Sequence, residues 1–378
     1  MQIKNLNKGL LVAVIAVGSL PFGTASADGV TAGVDARSRV EYTQQGNIPG
    51  NADGDSYTAD QRTRVSLDGA AGDVSASVSV QENRRWSGEG SALEVYEASV
   101  QFAAAGLAFQ VGRQEFSMDE GRLMGTDDWN AGRSYDGVKV GYSTDSLNLE
   151  LFATSDGEGE LYVIHPSTSV GDIDVSIPVM YRTDAIGGGT ASNLTAGIHA
   201  ASDGDISWRV EAYFQQHTAD EDTDATTAIM ASLAASYKVS DTIAPRINID
   251  YTAGVSDAAA NHVFSAANGN THQYNGHSDV ITAGVGGLID ASVSNDFGAM
   301  GPGNLSAGLH YMMYADAEAA GADDAAVGIE IDIEYTISLA DQLSLTIGEA
   351  ILLDQGDAAA DDTNSTHDWT YIQLSLNI

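Results

Sequence analysis

From residue 28 onward the chain alternates apolar and polar side chains in short runs, broken by glycine and aspartate, almost to its last residue. Val30, Ala32, Val34, Ala36, Val40 and Tyr42 share one parity, and Asp35, Arg37, Arg39 and Glu41 the other. Near the far end, Val327, Ile329, Ile331, Ile333 and Tyr335 alternate with Glu330, Asp332 and Glu334. A strand sends successive side chains to opposite faces, so each run has an apolar wall and an ionic wall. A soluble sandwich would turn the ionic wall to water. A closed barrel in lipid would turn the apolar wall outward and line a lumen with the charges.

The first residues choose between the two. Lys4 and Lys8 precede an apolar stretch from Gly9 to Leu20, and Ala25-Ser26-Ala27 supplies small residues for cleavage after Ala27. That stretch is too short for a bilayer anchor. Residues 1–27 therefore read as a secretion signal and 28–378 as one exported domain. The fold expected is an all-β, transmembrane antiparallel β-barrel of about 18 strands, with 16 as the other count. Expected strands include 30–43, 57–69, 107–115, 132–144, 278–290 and 303–315. Tight turns such as Ala70-Ala71-Gly72-Asp73, Ala105-Gly106 and Asp203-Gly204 alternate with long polar loops at 44–56, 86–91, 116–131, 218–225, 255–277, 316–326 and 354–366. Short periplasmic turns and long outer loops are the outer-membrane pattern. This places the chain in the outer membrane of a Gram-negative bacterium. Its surroundings there are outer-membrane lipid, lipopolysaccharide and the barrel insertion machinery.

Composition narrows the function. A formal net charge of −37 excludes nucleic acid as a partner. With no cysteine there is no disulfide framework. Asn51-Ala52-Asp53-Gly54-Asp55 lacks the distal glutamate of a calcium loop. His262, His272 and His277 have no metal-ligand spacing and read as loop polar residues. No catalytic constellation, metal site or cofactor motif stands out, and His310 has no nucleophile beside it.

Positive charge is scarce and concentrated. Arg37 and Arg39 share a strand face, as do Arg62 and Arg64, and the opposite faces are apolar or neutral. An arginine in the middle of a lipid face costs about 2–4 kcal/mol, so these four are expected to point inward. Arg85 continues the series, because Val74, Ala76, Val78 and Val80 take the outer face. The column can bind and guide anions, with carboxylates on the closing strands opposite, or it can pair with Asp35, Glu41, Asp68 and Glu82 and fill a plugged lumen.

Three segments resemble the alginate export family of outer-membrane barrels. The most specific is Gly112-Arg113-Gln114-Glu115-Phe116, then Gly121-Arg122-Leu123-Met124-Gly125, Asp128-Trp129-Asn130 and Arg133-Ser134-Tyr135-Asp136-Gly137-Val138. Tyr274–Asp279 leading to Gly287-Leu288-Ile289-Asp290 is similar to the family's central stretch, and 328–374 to its last strands. The resemblance implies an 18-stranded, porin-like barrel that exports a polyuronate through a positively lined lumen. It marks Arg113, Arg122 and Arg133 as family-motif arginines without saying whether they touch polymer or fix loop geometry; the expectation here is that they brace or gate the pore. The expected function is passive passage of an anionic oligo- or polysaccharide without covalent chemistry. Ligand-binding residues are Arg37, Arg39, Arg62, Arg64, Arg85, Arg113, Arg122 and Arg133. Two alternatives stay open: a cation-preferring general diffusion porin, and a plugged barrel acting as a surface or adhesion module.

Overall fold

The computed structural model describes residues 29–44, 55–86, 88, 92–155, 159–186, 189–219, 224–240, 242–257, 261–266, 268–270, 272–322, 324–354 and 366–378. The expected signal segment and most of the acidic stretch Asn51–Asp55 lie outside them. The strands are β1 (Val30–Gln44), β2 (Ser56–Ala71), β3 (Val74–Arg85), β4 (Ala92–Ala104), β5 (Leu107–Gln114), β6 (Tyr135–Ser143), β7 (Asn148–Ser155), β8 (Gly159–Val170), β9 (Ile173–Ser176) and β10 (Val179–Ile186). They continue as β11 (Gly189–Ser202), β12 (Ile206–Thr218), β13 (Thr226–Tyr237), β14 (Arg246–Thr252), β15 (Leu288–Met300), β16 (Gly303–Met313), β17 (Ala326–Ala340), β18 (Leu343–Asp354) and β19 (Thr366–Asn377).

Every pairing is antiparallel, and β19 returns to β1 from Asp35↔Asn377 to Gln44↔Asp368, which closes the sheet. β9 and β10 each pair with both β8 and β11, so they are two halves of one stave interrupted at Pro178. Proline has no N–H to give a ladder; Gly197 N–H bonds the Pro178 carbonyl instead and keeps the wall continuous. The barrel therefore has 18 staves, as the alternation implied.

Val78, Val111, Ile164, Leu233, Ile249, Leu309, Ile347 and Ile372 stand exposed on the outside. An apolar belt of this extent needs lipid rather than water. At the tight-turn rim, Ala105 (φ 53°) and Gly106 (φ 78°) make the left-handed pair that a two-residue hairpin requires. Inside, Gly348 and Gly197 face Tyr371 and Tyr213 in register. A Cβ at either glycine would run into the partner's ring, so each glycine lets an aromatic side chain lie flat on the wall.

Two expectations are corrected. The strand read at 278–290 begins at Leu288 and runs to Met300, so the preceding loop is 253–287 rather than 255–277. Ile281 and Ala283 alternate like a strand because they pack against Leu288, Met312 and Val327 on the inner wall. Alternation reports one-sided burial, and a loop laid on a wall produces it as well. The lumen is also not ionic all round. Phe152, Leu161, Val163, Met180, Tyr213 and Met230 point inward and form one cluster with Phe116, Met118, Leu123, Met124 and Phe264 from the loops. Inserted loops need an apolar seat, and this half of the wall supplies it.

Candidate functional site

The segment 115–134, between β5 and β6, crosses the lumen and is fixed to three walls. On β1 and β2 it meets the expected arginine column. Arg37 donates to the carbonyls of Asp128 and Asn130, both at 2.7 Å, and Arg39 donates to that of Trp129 at 3.1 Å. Arg62 donates to the Asp128 carboxylate at 2.7 Å and to Asp35 at 2.8 Å. Arg64 reaches the same Asp128 oxygen at 2.9 Å and the Ala131 carbonyl at 3.0 Å. Arg37 and Arg62 are direct cross-strand partners. Like charges so placed repel, and the carboxylate and carbonyls of the loop offset that repulsion.

Trp129 completes this seat. Its ring stacks on His272 at 3.9 Å between centroids, meets Tyr371 and Trp369 edge-on at 5.0 and 5.8 Å, and carries the Arg39 guanidinium at 4.0 Å. On β8, β9 and β11, Asp119 accepts from His165 at 3.0 Å and Ser176 at 2.8 Å, with His199 at 3.6 Å. On β12 and β14, Arg122 pairs with Glu211 at 2.9 Å and Asp250 at 2.8 Å and lies 3.7 Å over the Tyr274 ring.

The loop 253–287 locks against the first. Met124 and Asn268 form a parallel bridge, Gly125 N–H bonds the Asn268 carbonyl at 2.8 Å, and Tyr274 donates to the Glu120 carbonyl at 2.7 Å. Glu330 of β17 holds this second loop through the Ser278 amide at 2.8 Å and hydroxyl at 2.5 Å.

The expected site residues thus divide. Arg37, Arg39, Arg62 and Arg64 come together at residues 128–131, three of them at Asp128 and Arg39 at Trp129. Arg122 and Arg133 fix loops, the latter through the Gly269 carbonyl at 3.1 Å. Arg85 is exposed at the end of β3, opposite Asp60 in register. Arg113 shares the outward parity of Val111 on β5 and meets Asp136 at 3.3 Å, away from the column. Sequence reasoning left Arg209 among the few cations to line the later strands and assigned no role to His165 or His199. All three are inward by alternation with outward Ile164, Ile198 and Val210, and that signal was available.

Burial pushes the Asp128 carboxyl up, but the Arg62 hydrogen bond and the charges of Arg62, Arg64 and Arg37 outweigh it and hold the group below its ordinary value. A depressed carboxyl stabilises the seated loop fully above the ordinary value of 3.8 and loses that contribution as pH falls through the lowered one. Closed-state lifetimes in single-channel records should therefore stay constant from neutrality down to about pH 4 and shorten below it. Shortening that begins near the histidine range would assign closure to another group.

The barrel has counterparts among known proteins. Over residues 29–156 the chain matches the alginate export family. That stretch covers β1 to β7 and the whole inserted segment 115–134, the part with the most specific motifs. None of the curated proteins matches. Among solved structures, Pseudomonas aeruginosa OpdL is similar at TM-score 0.67 with 11% identity, over 92% of this chain and 98% of that one. Pseudomonas aeruginosa OccK11 (OpdR) gives 0.63 and 11%, over 92% and 96%. Pseudomonas aeruginosa OprD gives 0.58 and 12%, over 94% and 98%. At such identities the likeness is one of fold. The chain has the fold of an outer-membrane β-barrel.

Proposed function

We propose that this alginate-export-like barrel passes anionic sugars or a uronate polymer passively, with Arg37, Arg39, Arg62 and Arg64 as its selectivity element and segment 115–134 as its gate. In this reading residues 1–27 are removed on export. The observation that carries it is that Arg62 and Arg64 already share one carboxylate, that of Asp128. Guanidinium forks recognise carboxylates by paired charged hydrogen bonds. A uronate carboxylate presents the same group and can take the place of Asp128 when the loop withdraws. Arg122 and Arg133 brace the loop, Arg85 stands at the rim, and Arg113 steadies the strand end through Asp136.

The test is single-channel current in a planar bilayer, with the reversal potential in a salt gradient and added oligogalacturonate. Anion preference with block is expected. Arg62→Ala with Arg64→Ala should weaken block roughly 10–100-fold, from about 1.5–3 kcal/mol per charged hydrogen bond. The buried acids Asp290, Glu330 and Asp332 favour a second reading, a cation-preferring porin. Cation selectivity without block would establish that one. A barrel that never conducts would make the apolar seat of the loops a permanent plug.

A further inference from the structure

Below the second loop, toward the tight-turn rim, the lumen keeps a cavity of about 340 Å³. Residues 273–277 roof it, and β12 and β14 to β17 supply its walls. Arg246, the first residue of β14, is exposed into it from the inward parity. The column arginines, Arg122 and Arg209 are all tied to protein oxygens. Among the described residues the Arg246 guanidinium has no hydrogen bond or ion pair.

The other side of the cavity is unfinished in the complementary sense. Asp290 and Asp332 are 0% and 3% exposed. His310 Nδ1 meets Asp290 Oδ2 at 2.8 Å and His310 Nε2 stands 3.4 Å from Asp332 Oδ2. Asp290 Oδ1 and both Asp332 oxygens have no hydrogen-bond partner. The hydroxyls of Ser292, Ser294 and Ser306 lie on the walls between Arg246 and Asp332.

A free guanidinium calls for an anion, and buried carboxylate oxygens without partners call for donors. One molecule answers both: a carboxylate on a body of hydroxyl groups. The acid wall repels a second negative charge, so a single sugar-acid residue fits better than a stretch of polyanion. The volume lies at the lower end of small-molecule pockets, about 300–1,000 Å³. We infer that this vestibule binds one hexuronate-type sugar acid, its carboxylate on Arg246 and its hydroxyls donating to Asp332 and Asp290. The choice of a sugar acid as natural ligand rests on the anionic-sugar reading above, but the site shares no residue with the arginine column.

Isothermal titration of the full chain in detergent with glucuronate, glucose and lysine tests it. Saturable glucuronate binding is expected, weakened tenfold or more by Arg246→Gln and by Ser292→Val, which fills the cavity without altering charge. Glucose should bind at least tenfold more weakly. Equal affinity of wild type and Arg246→Gln overturns the site, as does lysine binding more tightly than glucuronate. Titration that fails while oligogalacturonate still blocks the pore removes the vestibule alone. Intact titration without block removes the column reading alone.

Discussion

Arg122→Ala is expected to release the part of segment 115–134 that lies near β12 and β14 and to give large, noisy openings. The guanidinium bridges Glu211 and Asp250, whose side chains are 0% and 8% exposed, while its own is 7% exposed. It also donates to Ser232 at 3.2 Å. Removing one partner from a buried ionic group leaves uncompensated charge and costs about 3–5 kcal/mol. Arg122 belongs to the loop and both acids belong to the wall, so the cost falls on seating the loop rather than on closing the sheet. The equilibrium between seated and released loop should shift by roughly 10²–10⁴-fold. Single-channel recording reads this as a matching loss of closed time. Closed dwell times equal to wild type would sink the assignment. Combining Arg122→Met with Glu211→Gln and Asp250→Asn should restore most of the closure, because no charge is then left unpaired.

Trp129→Ala should have an effect of similar size with a different signature. The ring contacts His272, Trp369 and Tyr371 and supports Arg39. Truncating a packed tryptophan costs about 3–5 kcal/mol, and the cation–π contact contributes about 0.5–2 kcal/mol of its own. The released end of the loop is the one that caps the arginines. Openings should therefore become more anion-selective as well as more frequent, whereas Arg122→Ala frees the end near β12 and β14 and leaves the column capped. A reversal potential in a salt gradient separates the two. Openings of unchanged selectivity in Trp129→Ala would show that the carbonyls of Asp128, Trp129 and Asn130 do not mask the column.

The inward direction of Arg37, Arg39, Arg62 and Arg64 was legible because their neighbours on each strand leave only one face for lipid. Arg113 was legible too, since it follows Phe109 and Val111 at steps of two and so faces outward, although its motif pointed to the pore. The site itself was less legible. Nothing local in Asp128 or Trp129 says that they meet β1 and β2, because the contact from Arg62 to Asp128 spans 66 residues and that from Arg122 to Asp250 spans 128. The 278–290 error has the same origin, since Ile281 and Ala283 show the period of a strand while packing as a loop.

By itself the sequence determined the period of two, the tight turns and the facing of charged residues. Those specify a closed sheet in lipid, because a misplaced charge or an open edge is costly there and few arrangements avoid both. Only the tertiary structure decided what fills the barrel. Whether an arginine column faces water, cargo or the chain's own carbonyls depends on where a loop lands after closure. That is set by the Asp119, Asp128, Trp129 and Arg122 contacts acting together, and none of them is encoded in local periodicity.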